Sequence, residues 1–291
     1  MNIVILSRNK DLYSTRRLIE EAEKRNHFVE VIDPLNCDLI IENQNPTVLY
    51  EDKYLDYVDA IIPRIGASIT FYGSAVVRQF EMMNVFSSVS SDSIICSRDK
   101  LRSFQFLSKA GVDMPKTIFT NYSRDVENVI TQIGGPPVVI KLLKGTQGIG
   151  VVLAESKIAA ESILEAFNGL EARALVQEYI AEAKGADIRV LIVDEQVVGA
   201  MKRQGKKGEF RSNLHRGGSY EHYKLTNAEV KIATKAAQKL KLPICGVDIL
   251  QSHRGPLVLE INSTPGLEGI ESASKKNIAQ QIITYIERNK R

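Results

Sequence analysis

Gly246-Val-Asp-Ile-Leu250 and Pro256-Leu-Val-Leu-Glu-Ile-Asn262 decide how this chain is read. Both are apolar runs carrying one or two oxygen-bearing side chains, and Ser252-His-Arg-Gly255 between them reads as a turn. The pair reads as a hairpin. Residues two apart on a strand share a face. Glu260 and Asn262 therefore point one way, Leu259 and Ile261 the other, and Asp248 stands on the partner strand between Val247 and Ile249. Two carboxylates and an amide oxygen on one sheet face are hard ligands. They suit Mg2+ or Mn2+, with water and nucleotide phosphates completing the shell. Two solvated polar faces are the plainer alternative. The apolar flanks argue against it, because flanks that bury the strands would leave an unpaired carboxylate at high cost.

Upstream lies Lys141-Leu-Leu-Lys-Gly-Thr-Gln-Gly-Ile-Gly150-Val-Val152. The runs 138–144 and 151–155 read as strands of a second hairpin. No Lys-Ser/Thr follows the last glycine, so this is not a Walker A loop. Its backbone N–H groups can lie over phosphates, and Lys141 and Lys144 add charge. Gly145, Thr146, Gln147, Gly148, Ile149 and Gly150 form a candidate lid, with an ordinary tight hairpin as the alternative. Downstream, residues 202–218 hold six Lys/Arg to one Glu, net +5. A single aromatic in that run gives no stacking platform for nucleic acid. A loop closing on polyphosphate fits better, with Arg203 and Arg211 as bidentate clamps. Leu175-Val-Gln-Glu-Tyr-Ile180 offers strand backbone to an adenine edge, and Asp187 an acceptor for ribose hydroxyls.

The N-terminal third reads differently. Strands at 3–6, 27–32 and 60–63 alternate with helices at 12–24 and 74–83, which predicts a small doubly wound α/β domain. The turn after its first strand contains no glycine, against a dinucleotide fingerprint. Serine-rich 87–93 reads as a loop, and a boundary falls near residue 95. A helix over 97–110 follows, with Ser97 as its N-cap and Leu101, Phe104 and Leu107 as its apolar stripe. Helices at 158–167, 227–240 and 277–288 and strands at 187–193 and 196–202 complete an α/β chain that is α+β in part.

Composition limits the alternatives. A chain of 291 residues with a net charge of +3 is no general polyanion binder. Cys37, Cys96 and Cys245 are too few and too scattered for a disulfide framework, which suggests a reducing cytoplasm. No apolar run is long enough to span a membrane. No catalytic triad is apparent.

Taken in order, the basic residue after the α/β domain (Lys100), the glycine hairpin, Gln177-Glu-Tyr-Ile180 and the Asp248/Glu260/Asn262 set resemble the ATP-grasp ligases over residues 97–288. Pro63-Arg-Ile-Gly66, Thr70-Phe-Tyr-Gly73, Arg98-Asp-Lys100, Gly145 to Ala154, Phe210 to Gly218 and Asn262 to Gly269 look like the RimK group of that family across the whole chain. The resemblance implies a pre-ATP-grasp domain at 1–95 and a two-lobed ATP-grasp fold at 96–175 and 176–291. It implies ATP held by Lys100 and Lys141 at the phosphates, by Gln177, Glu178, Tyr179 and Ile180 at adenine, and by Asp187, Arg211, Ser212 and Asn213. Two Mg2+ or Mn2+ ions are implied at Asp248, Glu260 and Asn262, and Arg203 facing the transferred phosphate. The implied reaction adds glutamate to the C-terminus of a small-subunit ribosomal protein through an acyl phosphate. Poly-α-glutamate synthesis, a carrier-protein or coenzyme acceptor, and a nucleotide-gated RNA- or ribosome-binding module stay open. Because both substrates are anionic, Arg64, Arg189 and Arg216 are candidate carboxylate anchors. A homo-oligomer, with a tetramer as one form, is also implied.

Overall fold

The computed structural model describes residues 1–120, 126–143, 150–206, 208–212 and 217–290. The unbroken apolar run at the N-terminus becomes β1 (Asn2–Leu6), buried on both faces as a central parallel strand must be. It pairs in parallel with β2 (Phe28–Ile32) on one side and with a strand at Ala60–Pro63 on the other. Helix α1 (Tyr13–Glu23) makes the first crossover. The second passes through a small antiparallel sheet that the sequence reading did not anticipate: β3 (Cys37–Ile40), β4 (Thr47–Tyr50) and β5 (Lys53–Tyr54). The Ala60–Pro63 strand is β6. Helix α2 (Thr70–Met82) and β7 (Phe86–Ser87) complete a parallel sheet of order β2-β1-β6-β7.

Two expectations near residue 95 are corrected. The serine-rich stretch is a helix from its middle onward, α3 (Ser91–Arg98), and it crosses the expected boundary. Its serines find partners in its own first turn and elsewhere in the fold. The Ser90 side chain accepts from Ser93 N–H as the N-cap, and Ser91 Oγ donates to Glu81 at 2.6 Å. The next helix, α4 (Lys100–Lys109), is capped by Asp99 rather than Ser97, because the chain is extended at Asp99 and its carboxylate accepts from Arg102 N–H.

The middle of the chain holds β8 (Thr117–Phe119), α5 (Val126–Ile133), β9 (Val138–Leu142), β10 (Val151–Ala154), α6 (Lys157–Gly169) and β11 (Ala174–Glu178). They form an antiparallel sheet of order β10-β9-β11-β8 backed by two helices. The strands flanking the glycine segment pair as expected, with Lys141 opposite Val151.

The C-terminal part holds β12 (Ala186–Val193), β13 (Gln196–Gln204), β14 (Ser219–His222), α7 (Asn227–Lys239), β15 (Ile244–Ser252), β16 (Gly255–Asn262), α8 (Glu268–Ser274) and α9 (Ile278–Asn289). Its five-stranded antiparallel sheet runs β14-β13-β12-β15-β16. A bulge after Asp248 shifts the β15–β16 register, so Asp248 lies opposite Glu260 and Ile249 opposite Val258.

Buried side chains divide into two principal cores. One joins the N-terminal sheet to the five-stranded sheet and α9; the other lies within residues 126–176. The return of α8 and the start of α9 onto α1 is marked by polar contacts. Arg17 Nε donates to Glu271 at 3.2 Å and Arg17 Nη2 to Asn277 at 3.0 Å, while Tyr13 Oη donates to Glu271 at 2.9 Å. The three cysteines are buried and unpaired, as expected. No helix among the described residues is long and apolar enough to cross a membrane.

Candidate active site

Strand pairing places a charged row on one face of the five-stranded sheet. Asp187 on β12 faces Arg203 on β13, Arg189 on β12 faces Asp248 on β15, and Asp248 faces Glu260 on β16. Asp187 and Arg189 are two apart and share that face. The side chains close into a ladder. Arg203 Nε donates to Asp187 Oδ1 at 2.7 Å, and its Nη2 reaches both Asp187 Oδ2 and, at 2.8 Å, Asp248 Oδ2. Arg189 grips Asp248 with Nε and Nη2. Ser212 Oγ adds a bond to Asp187 Oδ2 at 2.6 Å.

Asp187, Arg203 and Asp248 are almost wholly buried. Isolated, each charge would be prohibitive there; alternated, each is compensated. Burial pushes the Asp248 carboxyl up, but Arg189 and Arg203 outweigh it and hold the group below the usual carboxylate range. Burial likewise opposes the Arg203 cation, and Asp248 and Asp187 more than restore it. Arg203 Nη1 is left as the edge of its fork that no described residue engages.

The expected metal ligands thus divide. Asp248 is buried and held by two arginines, whereas Glu260 is exposed. β16 is the edge strand of its sheet, so the flanking apolar residues do not cover Glu260 as the sequence suggested. Asn262 Nδ2 donates to Glu260 Oε1 at 3.1 Å, which places the amide and the carboxylate side by side. No group of three or more His, Cys, Asp or Glu residues with metal-binding geometry occurs among the described residues. The donor chemistry still fits a hard cation: Glu260 and Asn262 present oxygens toward solvent with Asp248 opposite them.

Lys141 reaches this area from the central sheet. Its Nζ donates to Gln177 Oε1 at 2.6 Å, and Gln177 is itself fixed by Nε2 donating to Thr117 at 2.9 Å. Burial holds the Lys141 ammonium down at about 8; Glu260 favours its charge, and neighbouring Lys100 opposes it. Lys100, at the start of α4, donates to the Leu143 carbonyl at 3.5 Å. The two lysines therefore converge beside Glu260. Gln177, expected at adenine, is buried and positions Lys141.

Glu178 accepts from Lys116 N–H and from Arg254 in the β15–β16 turn, tying the central sheet to the C-terminal one. Tyr179 is half-buried and Ile180 buried in the short segment between them. Arg211 pairs with Glu209 at 2.7 Å and donates to the Val151 carbonyl at 3.2 Å, so the basic loop touches the far strand of the glycine hairpin. Arg203 and Arg211 are thus paired to acids within the chain, which removes much of the patch a nucleic acid would need. Of the expected site residues, Gly145, Thr146, Gln147, Gly148, Ile149, Asn213 and Arg216 lie outside the described residues, as does Lys144.

Sequence reasoning overlooked Arg98. It ends α3 and donates Nη2 to the Ile65 carbonyl at 2.7 Å, while Arg64 Nη2 donates to the Pro265 carbonyl at 2.9 Å. The signal available was the Arg98-Asp-Lys100 string itself, in which only the lysine was assigned.

Comparison with known proteins identifies the family. Residues 97–286 match the RimK-like ATP-grasp domain and residues 1–94 the RimK PreATP-grasp domain. The chain is 57% identical over 289 residues to a probable alpha-L-glutamate ligase of Hydrogenovibrio crunogenus, covering 99% of this chain and 96% of that one. A relative of the same name from Aliivibrio salmonicida is 58% identical over 289 residues, with the same coverage. Among solved structures, a RimK domain ATP-grasp protein of Sphaerobacter thermophilus superposes with a TM-score of 0.75 at 21% identity, covering 98% of this chain and 99% of that one. The ATP-grasp ligase PsnB, solved with minimal precursor, Mg and ADP, gives 0.76 at 19% identity, covering 100% and 98%. At such identities these two structures speak for the fold. With family models over both parts and relatives this similar over nearly the full length, the chain belongs to the RimK-like ATP-grasp family.

Proposed function

We propose that this protein is an ATP-dependent α-L-glutamate ligase that extends the C-terminal carboxylate of a protein acceptor. The observation that carries the reading is the meeting of three things at one place: the Lys100–Lys141 pair, the Glu260–Asn262 oxygens and the ladder that holds Arg203. Names of relatives more than 55% identical support glutamate as the amino acid joined.

Lys100 and Lys141 hold the phosphates of ATP. Glu178 and the segment through Ile180 take adenine; Asp187, Arg211, Ser212 and Asn213 complete the nucleotide site. Asp187 and Ser212 do so from within a hydrogen-bonded network. Asp248, Glu260 and Asn262 would hold Mg2+ or Mn2+, two ions on this reading, which supply charge neutralisation at the phosphates. Arg203, fixed by two aspartates, offers Nη1 to the oxygens of the phosphoryl in transfer. Arg189 holds Asp248, and Arg64 and Arg216 are carboxylate anchors.

The chemistry needs no protein nucleophile. The γ-phosphoryl passes to the acceptor carboxylate, forming an acyl phosphate and ADP. The α-amine of glutamate attacks the acyl carbon, and phosphate leaves with one former carboxylate oxygen. The glycine hairpin and the 203–218 loop close over the intermediate and exclude water. The acceptor is the C-terminus of a small-subunit ribosomal protein, with free glutamate as the variant that yields poly-α-glutamate. We retain the division into 1–95, 96–175 and 176–291 and a cytoplasmic location as parts of this proposal.

Acceptor labelled with 18O in its terminal carboxylate tests the step. One 18O in the released phosphate is expected for each glutamate added. Unlabelled phosphate alongside glutamate addition would exclude the acyl phosphate.

A further inference from the structure

Two cations beside the site are not used by the nucleotide. Arg64 follows β6, Arg98 ends α3, and the segment after β16 meets both. Arg64 Nη2 bonds the Pro265 carbonyl at 2.9 Å, Arg98 Nη2 bonds the Ile65 carbonyl at 2.7 Å, and Thr264 Oγ1 shares that second oxygen at 3.2 Å. Both guanidiniums bond backbone carbonyls, and neither forms an ion pair among the described residues. Arg98 Nε is buried with no hydrogen-bond partner, and so is Ser263 Oγ, on the residue between Asn262 and Thr264. They are the two such side-chain atoms among the described residues. A buried donor without an acceptor is costly, which marks both atoms as candidate donors to a bound ligand.

Charge points the same way. Burial and the like charge of Arg98 hold the Arg64 guanidinium down at about 10. Burial also lowers Arg98, and Glu260 is the charge that counters it. Glu260 is shared with Lys141, beside Lys100. Arg98 and Lys141 thus both answer to the exposed Glu260 carboxylate, each with a second cation beside it. Phosphates answer the lysines. What remains is a pair of planar forks, whose geometry matches a carboxylate.

We propose that Arg64 and Arg98, with Ser263, form a carboxylate-binding pocket where β6, α3 and the 262–265 segment meet, and that Arg98 Nε and Ser263 Oγ donate to the bound carboxylate of a substrate. The inference rests on the ligase reading above, in which both the incoming glutamate and the acceptor tail carry carboxylates.

The test uses full-length protein and the variants Arg98→Gln, Arg98→Lys and Ser263→Ala. Initial rates are measured with glutamate and acceptor varied in turn, and AMPPNP affinity with Mg2+ is measured by calorimetry. Arg98→Gln raises KM for one carboxylate substrate about tenfold or more, the loss expected for a charge-assisted hydrogen bond. AMPPNP affinity stays within twofold. Arg98→Lys is intermediate, and Ser263→Ala gives a smaller rise for the same substrate. The substrate whose KM moves identifies the occupant. Unchanged KM values, as for a pocket filled by water alone, overturn the inference. So does an equal rise for both substrates, or a parallel loss of AMPPNP affinity. If Arg98→Gln does not fold, Arg98→Lys and Ser263→Ala decide by the same criteria. Wild-type protein that consumes no glutamate overturns the ligase reading and this inference with it; active wild type with unchanged variants overturns the inference alone.

Discussion

Lys141 shows how burial and a ligand compete for one proton. Burial lowers its ammonium from 10.5 to about 8, with Lys100 adding to the effect and Glu260 opposing it. Between those values the unfolded chain binds more protons than the folded one. This group therefore adds stability to the free protein as pH rises from about 8 toward 10.5. Bound phosphates reverse the balance by favouring the charged form. Nucleotide binding at pH 8.5 is thus expected to take up a fraction of a proton, read by calorimetry in buffers of different ionisation heat. Lys141→Gln should bind more weakly and lose that uptake; equal uptake in the variant would assign the proton elsewhere. Asp248 gives the complementary case. Asp248→Asn leaves Arg189 and Arg203 partly uncompensated in the interior, so a loss of about 3–5 kcal/mol is expected in urea unfolding. A change under 1 kcal/mol would mean that the ladder is not what holds the site. The residue types were legible from spacing: Asp248, Glu260, Asn262 and Lys141 do assemble. Their partners were not. That Gln177 would serve Lys141, or that Asp187 and Asp248 would both be bound to Arg203, depends on the pairing of β12 with β13 and β15, which no local pattern specifies.

At the scale of elements, period and turn chemistry were informative where a segment is governed by its own residues. The two hairpins and helices α1, α6, α7 and α9 follow from apolar spacing and caps; α7 carries a full capping box between Thr226 and Glu229. Prediction failed where polar residues take tertiary partners. Ser93 in α3 donates to the Lys241 carbonyl at 2.8 Å, a contact 148 positions away, so its serine-rich sequence looks like a loop but packs as a helix. Short strands β3, β4, β5 and β7 carry too few residues for alternation to register. The glycine hairpin offers an element-level test. Gly150 sits at φ +74°, and a Cβ there would lie 2.6 Å from Leu142 Cδ1. Gly150→Ala is expected to cost about 1–2 kcal/mol locally. Hydrogen exchange should show faster opening of β9 and β10 with α9 unchanged, and AMPPNP affinity should fall. Uniform protection equal to wild type would contradict the role given to that turn.

Across the whole molecule, sequence reading divided the chain by composition, whereas packing joins its ends. The N-terminal sheet, the five-stranded sheet and α9 share one core, and residues 126–176 keep their own. Cooperative opening is therefore expected in two steps by hydrogen exchange, with the 126–176 unit opening first and α1 and α9 last, together. Separate opening of α1 and α9 would contradict the shared core. The arrangement suits the proposed chemistry, since the sheet of the larger core carries Arg203, Asp248 and Glu260 while the smaller unit carries Lys141 and strands β9 and β10. The central claim is glutamate ligation, and intact mass spectrometry of an acceptor incubated with the protein, ATP, Mg2+ and glutamate tests it most directly. A ladder spaced by glutamate residues is expected, and it disappears when the acceptor's C-terminal residues are removed. ATP consumed to ADP with the masses of acceptor and glutamate both unchanged would contradict it.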